Sequence, residues 1–145
     1  MRKIGAMNLE DTFKTLTRIV KMSEYCRLKE LLMPGGSMQV EMYLPIIEDL
    51  CYYLSTRAEK LAKLHLPSGS NACLHFCAKM PSLQYLAIDR TKHLNYLGLQ
   101  HLCHPKAITR YNLRAFHLGK MFVYLESLKT EICHALKILK KKSHS

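Results

Sequence analysis

Between Ile108 and Leu139 apolar residues recur at alternating steps of three and four: Ile108, Tyr111, Ala115, Leu118, Phe122, Leu125, Ile132, Leu136 and Leu139, with Lys129 filling the one gap. A stripe at that spacing is what one face of an α-helix requires, because the helix turns once in 3.6 residues. The pattern predicts one long helix over 105–140, with His104 before it and Pro105 as its first residue, where a missing N–H costs nothing. Gly119 lies off the stripe and is expected to weaken that helix by about 1 kcal/mol relative to alanine.

Similar stripes upstream predict further helices. Over 8–33, Asn8 reads as the cap, Asp11 follows three residues later, and Leu9, Phe13, Leu16 and Val20 share a face. Over 38–66, Ser37 reads as the cap and Val40, Tyr43, Ile47, Leu50, Leu54, Leu61 and Leu64 form the stripe, broken at Arg57. Pro45 either kinks that helix or marks its start after a separate turn. Residues 72–79 and 82–103 read as a short and a longer helix separated at Pro81. With 48% apolar residues in 145, the chain can enclose one core. The expectation is an all-α fold, a compact bundle of four to five antiparallel helices with a long C-terminal one. It would form a single domain over 1–145 with a basic tail at 137–145, whether whole or part of a longer protein.

One motif cuts across this reading. Leu83-Gln-Tyr-Leu86-Ala-Ile88, Leu94-Asn-Tyr-Leu97-Gly-Leu99 and Leu113-Arg-Ala-Phe116-His-Leu118 resemble the L-x-x-L-x-L core of a leucine-rich repeat. Their separations of 11 and 19 residues miss the 20–29 that such a repeat needs, and the third copy falls inside the expected long helix. On spacing, the echo reads as chance.

Metal-ligand chemistry is concentrated in Cys73-Leu-His75-Phe-Cys77 and His101-Leu-Cys103-His104, so Cys73, Cys77, His101 and Cys103 are the zinc candidates. Cys73 and Cys77 are one helical turn apart with no glycine knuckle to turn their sulfurs inward. The plainer reading is two small core cysteines beside an exposed His75, with no metal and no cofactor expected. No phosphate-cradling loop, nucleophile elbow or H-E-x-x-H occurs, the adjacent Glu48 and Asp49 diverge on a helix, and the acidic residues do not cluster near the eight histidines. A noncatalytic protein is expected.

Of the net charge of +11, +7 falls within residues 105–145. On the expected last helix, Lys106, Arg110, Arg114 and His117 follow at steps of four and three, extended by Lys120 and by Lys140, Lys141 and Lys142 into a basic ridge. The ridge is either a solvated face or an attractor for acidic protein or nucleic acid phosphate. Met33, Met38, Met42, Met80 and Met121 offer adaptable apolar surface for a groove. The expected function is an adaptor that takes a partner protein's apolar segment between its helices. The alternatives are a nucleic-acid-binding domain using the ridge and, if the six cysteines pair, a secreted cytokine-like bundle. Four cysteines in or beside apolar stripes, and no signal peptide at the N-terminus, point to reduced thiols and to the nucleus or cytoplasm. No segment is apolar enough to span a bilayer, and nothing in the residues sets the oligomeric state.

Overall fold

The computed structural model describes residues 9–23, 26–33, 43–104, 106–108, 112–119 and 121–124. It is an α/β fold, not an all-α bundle. In chain order the elements are α1 (Leu9–Met22), β1 (Glu30–Leu32), α2 (Leu44–Arg57), β2 (Lys63–Ser70), α3 (Asn71–Cys77), β3 (Tyr85–His93), α4 (Tyr96–Cys103), β4 (Ala115–Leu118) and β5 (Met121–Tyr124). The strands form one sheet in sequential order, β1 to β4 parallel and β5 antiparallel to β4.

The L-x-x-L-x-L motif builds the sheet. Its copies are Leu28-x-x-Leu31-x-Met33, Leu61-x-x-Leu64-x-Leu66, Leu83-x-x-Leu86-x-Ile88 and Leu113-x-x-Phe116-x-Leu118, one on each parallel strand. Leu31, Leu64, Leu86 and Phe116 stand in one row across the sheet, at intervals of 33, 22 and 30 residues. Leu66, Ile88 and Leu118 make the next row. The second residue of each copy carries a backbone ladder, with Ala62 N–H donating to Lys29 C=O at 2.7 Å, Gln84 to Ala62 at 2.8 Å and Arg114 to Gln84 at 2.9 Å. Four equivalent turns into four equivalent strands define a strand–helix repeat, in which each unit hides its apolar face only against its neighbours. The copy at Leu94 is the false one: Leu97, its middle residue, is 49% exposed at the start of α4.

Sequential parallel order requires a crossover between each pair of strands, and crossovers of one hand leave their helices on one face. The helices accordingly pack in a row, α1 on α2, α2 on α3 and α3 on α4. Phe13 and Val20 of α1, Ile47, Leu50 and Leu54 of α2, and Leu74 of α3 join Leu64, Leu66, Leu86, Ile88 and Phe116 in a single core. Each such side chain contributes about 1.5–3 kcal/mol on burial. Arg57 at the end of α2 donates to Ser23 C=O at 3.1 Å, tying it to the end of α1. Pro45 sits in the first turn of α2, where its ring is harmless, so the helix starts there.

Residues 61–64 and 108–118 show why helical spacing misled. Leu61, Leu64, Ala115 and Leu118 are buried as the stripes required, although Ala115 and Leu118 point to opposite faces of β4, but Leu113 and Phe116, left off the helical stripe, are buried too. Ile108, placed on it, is 51% exposed. The predicted helix over 105–140 is thus replaced at 115–124 by the β4–β5 hairpin, whose two-residue link begins at Gly119 with φ +61°. Glycine is needed there because an L side chain crowds the backbone in the left-handed region. Likewise the predicted helices 8–33, 38–66 and 82–103 each contain a strand. Asn8, Ser37 and Val40, and the stripe from Leu125 onward, lie outside the described residues. Pro67 is tolerated inside β2 because His65 C=O bonds toward β1 (Met33 N–H, 2.7 Å) and residue 67 faces the same side, beyond the end of β1.

Candidate functional site

In a strand, neighbours point to opposite faces, so burying the leucine rows beneath the helices turns the intervening residues to the other face. Register places Glu30, Lys63, Tyr85 and Ala115 in one row of that face and Leu32, His65, Ala87 and His117 in the next. Glu30, Leu32 and Lys63 are exposed, Tyr85, His65 and His117 partly so, and the small Ala87 and Ala115 are covered. The two alanines lower the relief in the middle of the face, with Ala87 in register between His65 and His117. The face's described acids are matched locally: Lys63 Nζ lies 3.3 Å from Glu30 Oε1, and His65 Nε2 lies 2.7 Å from Asp89 Oδ1. The His65–Asp89 pair was invisible in the sequence, where 24 residues separate its members; a two-residue offset between neighbouring strands brings them together.

On the helical side, Cys51 of α2 meets Cys73 and Cys77 of α3 in the core, and all three are free thiols. Hydrogen bonding with Cys73 and Cys77, then burial, pushes the Cys51 thiol well above its ordinary pKa. Cys73 is shifted the other way, chiefly because it accepts from Cys51. Ser70 Oγ has one proton, and it goes to Glu48 Oε2 at 2.6 Å rather than to the Cys73 sulfur at 3.8 Å. Ser68 Oγ, on β2, is buried without a hydrogen-bond partner among the described residues.

Where α3 and α4 end, His75, His101 and His104 line an open cavity of about 240 Å³ together with Lys79 and Lys106. The Nδ1 atoms of His75 and His101 lie 3.4 Å apart, with ring centroids 4.8 Å apart. Burial, then the adjacent His75 and His104, lowers the pKa of His101. His104 Nδ1 accepts the Lys106 backbone N–H at 3.1 Å. The two helices are held in step by Asn71 and Asn95. Asn71 Nδ2 donates to Asn95 Oδ1 at 3.0 Å, and Asn95 N–H returns a bond to Asn71 Oδ1 at 3.2 Å. Asn95 also caps α4 through Leu97 N–H at 2.9 Å.

The zinc candidates are therefore not one constellation. Cys73 and Cys77 turn into the core while His101 faces His75 in the cavity, and the Cys103 side chain lies outside what is described. Among the described residues no group of three or more His, Cys, Asp or Glu side chains is placed to hold a metal ion. Nor do the described basic residues form a helical row. Lys106 is at the cavity rim, Arg114 sits in the backbone ladder and His117 is on β4, while Arg110, Lys120, Lys140, Lys141 and Lys142 lie outside the described residues. Met80 is fully buried and Met33 packs partly buried against the core; Met38 and Met42 and the Met121 side chain are outside the description. No described helix is long and apolar enough to cross a membrane. No protein-family model and no curated protein matches this chain.

Proposed function

We propose that this chain is a noncatalytic protein-interaction module that docks an extended acidic segment of a partner on the face of its parallel sheet opposite the helices. The observation that carries the reading is the pair of registered rows, Glu30–Lys63–Tyr85–Ala115 and Leu32–His65–Ala87–His117, on the face opposite the buried leucines. A repeat sheet of this kind presents side chains from separate units in one plane on a rigid backbone, which suits recognition of an extended chain. Glu30 is already paired with Lys63, and Asp89 Oδ1 is engaged by His65, which lessens the opposition of these acids to an acidic partner. The net charge of +11 attracts it from a distance. The apolar part of the contact falls to Leu32, 53% exposed, and Tyr85. Free thiols packed as core hydrophobes accord with a nuclear or cytoplasmic setting.

The test is selection of binders from a displayed library of acidic peptides, followed by anisotropy titrations of the best one. Tyr85→Glu and Leu32→Glu should each weaken binding at least tenfold, and Tyr52→Glu on the exposed side of α2 should change it less than twofold. Equal losses at Tyr52, or capture that survives only with nucleic acid present, overturn the reading.

A further inference from the structure

We infer that His75 and His101 form a binding site for a borderline transition-metal ion, zinc or copper(II), that clips α3 to α4. The site is separate from the sheet face and independent of the function proposed for it.

The geometry is the first argument. A tetrahedral ion with metal–nitrogen bonds of about 2.0–2.1 Å sets adjacent ligand nitrogens about 3.3–3.4 Å apart. The two Nδ1 atoms stand at 3.4 Å, the edge such an ion requires, whereas a good N–H···N hydrogen bond would draw them to about 3.0 Å. The rings are crossed at 70°, so the nitrogens approach without stacking. The second argument is support: the ligands come from adjacent helices whose spacing is fixed by the Asn71–Asn95 pair. Gly98 holds that spacing, because a Cβ there would collide with the Asn71 carboxamide.

The third argument is charge and access. His75 and His101 lie in the last turns of their helices, where the negative ends of two dipoles favour a cation and offset Lys79 and Lys106 across the cavity. The cavity is open, so water completes the coordination sphere, as it does wherever a bound ion keeps positions for exchange. With two protein ligands the site binds more weakly than a closed structural centre. Its effect is to brace neighbouring repeats rather than to drive folding.

The experiment is calorimetric titration of the tag-free full chain, under reducing conditions, with zinc chloride and separately with copper(II) sulfate in thiol-free buffer. Thermal unfolding is followed in parallel. One ion per chain is expected, with a rise in Tm on saturation. His75→Ala and His101→Ala should each weaken binding at least tenfold, and His93→Ala, at the exposed end of β3, should leave it unchanged. Should an alanine variant fold poorly, His75→Gln and His101→Gln preserve ring-sized volume and report the same loss. Binding that persists unchanged in both variants, or no binding at millimolar metal, overturns the inference. So does stabilisation by inorganic phosphate in place of metal, which would make the cavity an anion site.

Discussion

Replacing Phe116 with alanine separates a strand–helix repeat from a helical bundle. Phe116 is fully buried in the row Leu31–Leu64–Leu86–Phe116, so truncation removes a whole aromatic side chain and leaves a cavity, at a cost of about 3–5 kcal/mol. Ile108 is 51% exposed, and its truncation falls among surface changes of about 0.5 kcal/mol. A helix over 105–140 reverses this order, since it places Ile108 on the apolar stripe and Phe116 off it. With an unfolding slope of about 1–3 kcal/mol/M in urea, the two variants should differ in midpoint by about 1–4 M. If Phe116→Ala proves too unstable to titrate, Phe116→Leu keeps most of the volume and should still cost more than Ile108→Ala. Equal midpoints, or the larger loss at Ile108, would refute the assignment of strand β4.

Three further outcomes follow from single residues. Gly119→Val should lose about 1–2 kcal/mol in urea unfolding because φ +61° crowds a branched side chain, and Gly119→Asn should lose less; no difference between them would count against a tight link there. Ser68→Ala should raise stability by about 1 kcal/mol, since its hydroxyl is buried with no partner among the described residues, whereas a loss would mean the hydroxyl is bonded. His101 has a folded pKa below the ordinary 6.5, so the folded state binds its proton less readily than the unfolded chain. Stability from this group is complete above about 6.5 and declines as pH falls from there through the folded value. In chelator-containing buffer, His101→Gln should flatten that decline, and an unchanged pH profile would remove His101 as its source.

What the sequence made legible was the helical layer. Phe13 and Val20, and Ile47, Leu50 and Leu54, were read as core stripes from spacing alone and are buried in α1 and α2. The strands were hidden because each carries only one or two apolar residues in the core rows, Leu31 on β1, Leu64 and Leu66 on β2, Leu86 and Ile88 on β3, and Phe116 and Leu118 on β4. Leu61 lies in the turn before β2, so its step of three to Leu64 imitates a helix, and only Leu66, two residues on, breaks the helical step. The repeat was within reach, since two of the three motifs noticed are real strands. The false copy at Leu94 split the true interval from Leu83 to Leu113 into two unequal short ones, and connections of unequal length concealed the rest. The sheet face opposite the helices could not be read at all from the sequence. His65 and Asp89, or Lys63 and Tyr85, become neighbours only through the register of parallel strands, which no local pattern encodes. The His75–His101 approach likewise depends on how α3 and α4 pack.

The account rests on β2, β3 and β4 running side by side in parallel. Backbone nuclear Overhauser contacts measure this directly on isotope-labelled protein. Cross-strand contacts should connect the neighbourhoods of His65 with Ala87 and of Ala87 with His117, with further contacts across Phe116 and Val123 of the antiparallel pair. Contacts between residues three apart running continuously from 108 to 124, with none across the strands, would contradict it.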